Sequence, residues 1–257
     1  MAISSGTDGR PLYEQVAERM RSAILAGDFD AREPLPSEAQ LRSQHGVSRD
    51  TVRKALELLA QEGLITSGQG RGRFIRSYAP LRWSLSTFEG PARADSAGSV
   101  DAWAAEVKSQ GREPSEVIDV GIVVPPARVA ERLRMDPSSG FVVVRRRVRY
   151  ADGQPYQLAD SYFPEQIARG TPLAEPRSVS APGGVLASLG HIQARFADEI
   201  GIRMPTVQEA ARLGLPTGTP VAEVTRTGYE ADGTPLRVMV TIAPGDRNVL
   251  VYEVEAG

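Results

Sequence analysis

The sequence predicts an α+β chain in two domains: a small helical domain closed by a β-hairpin, then a larger domain built on an antiparallel sheet. Three observations predict it. Apolar residues recur at helical spacing over residues 11–26 and again after Gly46, and short apolar runs flank a glycine-rich loop at 64–76. Residues 78–100 are rich in Ala, Ser, Gly and Pro and lack sustained periodicity, which reads as a linker. Beyond them, residues 132–155 recur without gaps at 212–235, an internal duplication at an offset of 80. The expected boundaries are therefore 1–77, 78–100 and 101–257.

Composition narrows the chemistry. The chain has 257 residues, 41% hydrophobic and 24% charged, with a formal charge of −2, so it is no polyelectrolyte as a whole. The absence of cysteine excludes disulfides, thiolate zinc sites and cysteine nucleophiles. Two histidines, His45 and His191, are too few for a histidine-based metal cluster. No run reaches the ~18 apolar residues of a membrane span, and the first residues contain no apolar signal core. A cytoplasmic protein without a cofactor is expected.

In the first domain, "PLYEQVAERMRSAILA" sets Leu12, Val16, Met20 and Ile24 four apart, with Pro11 at the start and Gly27 beyond the end. In "LPSEAQLRSQHG", Ser37 caps a second, short helix with Glu38 in its first turn, and Gly46 breaks it. Ser48 caps a third helix, which runs to about Glu62 and stops at Gly63. Two short helices joined by a tight turn form a helix-turn-helix, and "LITSGQGRGRFIR" after them reads as a hairpin wing.

The third helix opens with Arg49, Arg53 and Lys54, although a helix N-terminus is already positive and stability alone would favour acidic residues there. Residues 42–76 carry seven basic against three acidic side chains, a local charge of +4. Both features point to an external polyanion. Arg49 and Arg53, four apart, share a helix face that could reach guanine edges or phosphates in a major groove. Ser48 and Thr51 would contact phosphate. Gly68, Gly70 and Gly72 would let the wing backbone approach the duplex, with Gln69 at the tip and Arg71 and Arg73 adding charge.

Together these strings resemble the DNA-binding domain of the GntR family of transcription regulators, most specifically in "LPSE…GVSRDTVRKAL…EGL". The resemblance implies DNA contacts at Arg49, Thr51, Arg53 and Gly70. The chain departs from the family pattern at Ala39, where many members carry a DNA-contacting arginine. It departs again at Arg73, where threonine is usual, and Arg73 would supply the lost contact from the wing.

In the second domain each copy of the repeat reads as helix end, loop, strand, Asp-Gly turn and returning strand, with both hairpins in one antiparallel sheet. Helices near 126–134, 183–189 and 205–213 are expected on one face. Side chains alternate along a strand, so Arg145, Arg147 and Arg149 project together, where the second copy has Thr225, Thr227 and Tyr229. Three like charges in a row require carboxylates, a partner subunit or a bound anion to offset them. Trp83 and Phe88 in the linker are expected as packing anchors.

"RLRMDPSSGFVVVRRRVRYADGQPYQLADSYFP", "LGLPTGTPVAEVTRTGYEADGTPL" and "GDRNVLVYE" resemble the UTRA effector-binding domain of the HutC subfamily, whose fold is like that of chorismate lyase. The resemblance implies a small effector, phosphorylated or carboxylated, gripped by Arg147 and Arg149, with Thr87 contributing from the linker and Tyr162, Glu223 and Arg247 as further pocket residues. A glutamate frequent in sugar-binding members is replaced by Ala159, with Asp160 beside it.

The expected protein is a homodimeric repressor released from an inverted-repeat operator in double-stranded DNA by that effector. A regulator whose second domain only dimerises stays open. So does an enzyme on the lyase-like domain, although no Ser/His/Asp set or cofactor loop is evident; "GQGRG" follows a helix and makes a poor phosphate-binding loop.

Overall fold

α1 (Leu12–Ala26) starts at Pro11 and ends where Gly27 takes a left-handed φ of 79°. The computed structural model describes residues 9–30, 33–68, 72–76, 80–86, 101–136, 140–179, 181 and 184–254. Only the middle of the expected stripe is buried: Val16, Ala17 and Met20 are inside, while Leu12 is exposed. α2 (Glu38–His45) begins with a full capping box between Ser37 and Gln40 and stops at Gly46, φ 66°. α3 (Arg49–Gln61) is capped by the Ser48 hydroxyl, which accepts from the Thr51 N–H, and buries Val52, Ala55, Leu56 and Leu59. β1 (Ile65–Gly68) and β2 (Gly72–Ile75) pair antiparallel, from Ile65 opposite Ile75 to Gly68 opposite Gly72.

Val16, Met20, Leu41, Leu56, Leu59 and Ile65 close one core among these elements. Each fully buried aliphatic side chain contributes roughly 1.5–3 kcal/mol. That core holds α3 with its polar face outward. The chain divides into two compact units: Met1–Ala79 with Pro216–Thr219, and Pro80–Leu215 with Pro220–Gly257.

The second unit adds β3 (Leu81–Ser84), α4 (Ala102–Ser109), β4 (Pro114–Val123), α5 (Ala127–Leu133), β5 (Val142–Ala151) and β6 (Gln154–Pro164). Then come α6 (Glu165–Ala168), α7 (Val185–Ser188), β7 (Arg195–Arg203), α8 (Val207–Leu213), β8 (Val221–Tyr229), β9 (Pro235–Pro244) and β10 (Asn248–Val251). Six strands form one antiparallel sheet in the order β4-β5-β6-β9-β8-β7. β3 and β10 make a separate parallel pair. The two repeats supply corresponding elements, α5–β5–β6 and α8–β8–β9, and meet at β6 and β9 in the middle of the sheet.

The sheet has helices on both faces, which corrects the expectation of one. On the back face Val129 and Leu133 of α5 pack on Val142 and Val238, and Leu213 of α8 packs on Leu158, Val221 and Ile242. On the front face Leu186 of α7 packs with Val143 and Phe163. Trp83 of β3 and Trp103 and Val107 of α4 cover Val224, Met239 and Ala243 there. Trp83 is thus a packing anchor; Phe88 lies outside the described residues.

A one-residue slip separates the two hairpins. In the first copy Asp152 and Gly153, at φ 51° and 74°, form a two-residue turn that joins Ala151 directly to Gln154. In the second, Tyr229 pairs with Pro235 across a five-residue connection in which the Glu230 N–H donates to the Thr234 carbonyl. One cross-strand row therefore runs Arg145, Ser161, Met239, Arg226, and the next runs Val144, Tyr162, Val238, Thr227. The gapless alignment of the repeats, which set Thr225, Thr227 and Tyr229 against the three arginines, fails here: Thr225 and Thr227 face the back and Arg226 faces the front.

Candidate functional sites

The start of α3 presents a basic, solvent-facing edge. Ser48, Arg49, Arg53 and Lys54 are exposed, and Thr51 is half-buried, its hydroxyl 2.9 Å from that of Ser48. Arg49 keeps 77% of its side chain in solvent and lies 3.2 Å from Glu38. Arg53, 55% exposed, lies 3.5 Å from Asp50 and 3.8 Å from Glu57. Exposed pairs of this kind contribute only ~0–1 kcal/mol, so neither guanidinium is tied down. From the wing, Arg73 reaches the other oxygen of Glu38 at 3.8 Å. Glu38 precedes Ala39, so Arg73 stands beside the position that lacks the arginine. Gln69, Gly70 and Arg71 lie outside the described residues.

On the front face of the sheet the three arginines do project together, and they differ in role. Arg145 is fully buried and donates to the carbonyls of Leu173 at 2.8 Å, Glu175 at 2.7 Å and Arg177 at 2.7 Å. It is a strut. Arg147 touches the Ser161 hydroxyl at 3.4 Å and lies 3.6 Å from Glu116 of β4. Burial and the flanking Arg149 and Arg145 charges lower its guanidinium to about 10, against the pull of Asp101 and Glu116.

Arg149, only 3% exposed, stacks over the Trp103 ring at 5.4 Å and lies 3.4 Å from Asp101 and 3.9 Å from Glu116. Asp101 also caps α4, accepting from the N–H groups of Trp103 at 2.9 Å and Ala104 at 3.3 Å. Several buried polar atoms are left over: Nε of Arg145, Nε of Arg147, Nε and Nη1 of Arg149, and Oε2 of Glu116 make no hydrogen bond among the described residues, so four donors stand against one acceptor. Buried guanidinium N–H groups without an acceptor are costly, and a tetrahedral or planar oxyanion supplies what they lack.

The other residues expected in that pocket are elsewhere. Tyr162 and Glu223 lie on the back face, lining a cavity between α5 and α8. There Glu223 accepts from Arg128 at 2.6 Å and Arg203 at 2.7 Å, and Arg203 also grips Glu209 at 2.7 and 2.8 Å. Burial and the neighbouring Asp160 carboxylate push the Tyr162 hydroxyl up to about 12. Arg247 is buried against the carbonyls of Pro155, Leu213 and Gly214, where it ties the loop before β10 to β6 and the end of α8. Thr87 lies outside the described residues.

Two family profiles match the chain in tandem: "Bacterial regulatory proteins, gntR family" over residues 12–75 and "UTRA domain" over residues 109–248. The chain belongs to the GntR family of transcription regulators. Among curated relatives of this GntR-family protein, the HTH-type transcriptional repressor NagR of Bacillus subtilis is 29% identical over 94% of each chain. The HTH-type transcriptional regulator Rv0792c of Mycobacterium tuberculosis is 31% identical over 90% of this chain and 81% of its own. The crystal structure of PhnF from Mycobacterium smegmatis shares the fold, with a TM-score of 0.58 at 24% identity over 94% of this chain and 100% of that one.

The GntR-family chain is thus a DNA-binding transcription regulator with a UTRA domain. The partner roles of Asp101, Glu116 and Glu38 escaped the sequence reading, because each carboxylate lies on a different element from the arginine it meets. For Glu116 a signal existed: "SEVIDVGIVV" alternates as a strand, and its antiparallel pairing with β5 sets Glu116 opposite Arg149.

Proposed function

We propose that the chain is a homodimeric, cytoplasmic repressor of the HutC subfamily, without enzymatic activity or a cofactor. It would leave an inverted-repeat operator when an anionic effector binds at Arg147 and Arg149. In this reading residues 1–77 are the winged helix-turn-helix, 78–100 the linker and 101–257 the effector-binding and dimerising domain. Ser48, Arg49, Thr51, Arg53 and Lys54, with Gln69, Gly70, Arg71 and Arg73 of the wing, contact duplex DNA. Two α3 helices related by a two-fold axis read the two half-sites.

One observation carries the effector half of the proposal: buried donors of Arg147 and Arg149 stand without hydrogen-bond acceptors beside two carboxylates. Both terminal nitrogens of Arg145 are taken by carbonyls, and the three guanidinium groups together face Glu116 and Asp101, a surplus of one positive charge that a phosphate or carboxylate would neutralise. The repressor sense is supported by the NagR relative. Effector binding that favours one arrangement of the dimer changes operator affinity by the difference in its affinity for the two; coupling of ~1–3 kcal/mol gives about 5–150-fold.

Glu116 and Asp101 also favour a second reading, in which the arginines are internally neutralised and the domain only dimerises. Thermal-shift screening of the full chain against phosphorylated sugars and small carboxylates separates the two. A hit that raises Tm, weakens operator binding in a gel shift and is lost in Arg147→Ala and Arg149→Ala supports sensing. A hit that persists in both variants removes the arginines from the effector site. For the DNA half, Arg53→Ala should lower affinity for DNA selected in vitro by the wild-type protein by at least ~10-fold, the cost of one good base contact. Unchanged affinity would remove α3 from the interface.

A further inference from the structure

The back-face cavity lies where the two copies of the repeat meet, between α5 and α8, and none of the three front-face arginines lines it. Its volume of about 340 Å³ falls in the ~300–1,000 Å³ range of small-molecule pockets. Its floor is apolar, formed by Leu158 of β6 with Val238, Val240 and Ile242 of β9. The hairpin slip makes its walls unequal, because it turns Glu223 and Thr225 of β8 toward the back.

One wall has no charge to spare. Arg128, Arg203, Glu209 and Glu223 form two opposite-charge pairs that satisfy one another at 2.6–2.8 Å. The remaining charges are Asp160 and Arg212. Arg146, directly opposite Asp160 in the sheet, turns to Asp119 at 3.0 Å instead. Asp160 takes a hydrogen bond from the Tyr162 hydroxyl, but its Oδ1 is left buried with no hydrogen bond among the described residues. Arg212 acts on Asp160 through space, but the described residues include no ion pair between them. A carboxylate oxygen open to a donor and a guanidinium open to an acceptor therefore line one cavity over an aliphatic floor.

We propose that this cavity is a second ligand site, for a zwitterion of the amino-acid class, with its ammonium on Asp160, its carboxylate on Arg212 and an apolar side chain on Leu158, Val240 and Ile242. The two poles explain why the cavity would prefer a zwitterion to a simple anion or amine. A simple anion leaves the buried Asp160 oxygen unanswered, which works against binding, and a simple amine forgoes the attraction of the exposed Arg212 guanidinium. Burial already raises the Asp160 carboxyl above its ordinary range despite the pull of Arg212 and Arg146, so an ammonium beside it relieves a standing cost.

Isothermal titration calorimetry on the full chain tests this with L-leucine, L-isoleucine, L-methionine and L-phenylalanine, and with isoamylamine and 4-methylpentanoate as leucine analogues lacking one pole. The expected result is one site per chain for at least one amino acid. Affinity should fall at least ten-fold for either analogue and in Asp160→Asn or Arg212→Gln, and stay unchanged in Arg147→Ala and Arg149→Ala. Asp160→Asn is isosteric and removes a buried charge, so it should keep the wild-type Tm. Thr225→Phe, which fills the cavity without touching either charge, should abolish the heat as well. No binding by any of the four amino acids at millimolar concentration, or binding that survives Asp160→Asn and Arg212→Gln, overturns the proposal. So does binding lost only with Arg147 or Arg149.

Discussion

The Asp101 carboxylate lies 3.4 Å from the Arg149 guanidinium while accepting two backbone N–H groups at the start of α4. Burial alone would raise its carboxyl; Arg149, Arg147 and the two N–H donors outweigh that and hold it below its ordinary value. One side chain thus fixes a helix end and places a negative charge beside Arg149. A strong anion arriving at Arg147 and Arg149 competes with Asp101 for the same guanidinium group. Under the proposed function, an anion bound at Arg147 and Arg149 would therefore bear on the N-terminus of α4 through Asp101.

Asp101→Asn separates the two duties. Asparagine caps a helix about as well as aspartate, so stability should change by less than ~1 kcal/mol. The loss of a negative charge beside Arg149 should tighten anion binding several-fold. Inorganic phosphate titrated by thermal shift reads this directly, with a larger rise in Tm at equal phosphate for the variant. A smaller rise than wild type would mean that Asp101 helps bind the anion rather than competing with it.

Arg145 and Arg147 look alike in the sequence and should fail differently. Arg145→Met removes the guanidinium that donates to the Leu173, Glu175 and Arg177 carbonyls, all of which are then left without that donor. At ~1–3 kcal/mol for each unsatisfied group, partly relieved by solvent, a loss of roughly 3–5 kcal/mol is expected in urea unfolding. Arg147→Met gives up only a 3.4 Å contact and a 3.6 Å pair, so stability should change by less than ~1 kcal/mol while the phosphate response falls. Equal destabilisation by the two would deny the division between strut and receptor.

That division marks how far the sequence could be read. The helix-turn-helix was legible because each of its signals is local: Ser37, Gly46, Ser48 and Gly63 lie within a few residues of the ends they make. The repeat and the common direction of Arg145, Arg147 and Arg149 were legible for the same reason, since alternation within one strand is a local rule. Which face a strand shares with its neighbour is not local. It depends on turn length, and a two-residue Asp152-Gly153 turn against a five-residue connection at 230–234 shifts the register by one. That single residue puts Glu223 on the other side of the sheet. Tyr162 lies there because it pairs with Val144 and not with an arginine, and nothing local to Arg247 shows that its partners are carbonyls.

Acid should loosen the second repeat through Glu209. This carboxylate caps α8 by accepting the Thr206 N–H at 2.7 Å and takes both ends of the Arg203 guanidinium. Its hydrogen bonds to Arg203 lead the causes that lower it from 4.5 to about 2, with burial opposing. A folded-state value below the unfolded one means that the ionised form favours the fold. The contribution is therefore complete above pH 4.5 and disappears as pH falls toward 2. After discounting for partial exposure, ~1–2 kcal/mol is at stake. Glu209→Gln should lower unfolding free energy by about that amount at pH 7 and flatten the decline between pH 4.5 and 2, since the group that titrates there is gone. Parallel acid limbs for wild type and variant in urea melts across that range would show that Glu209 does not carry the dependence.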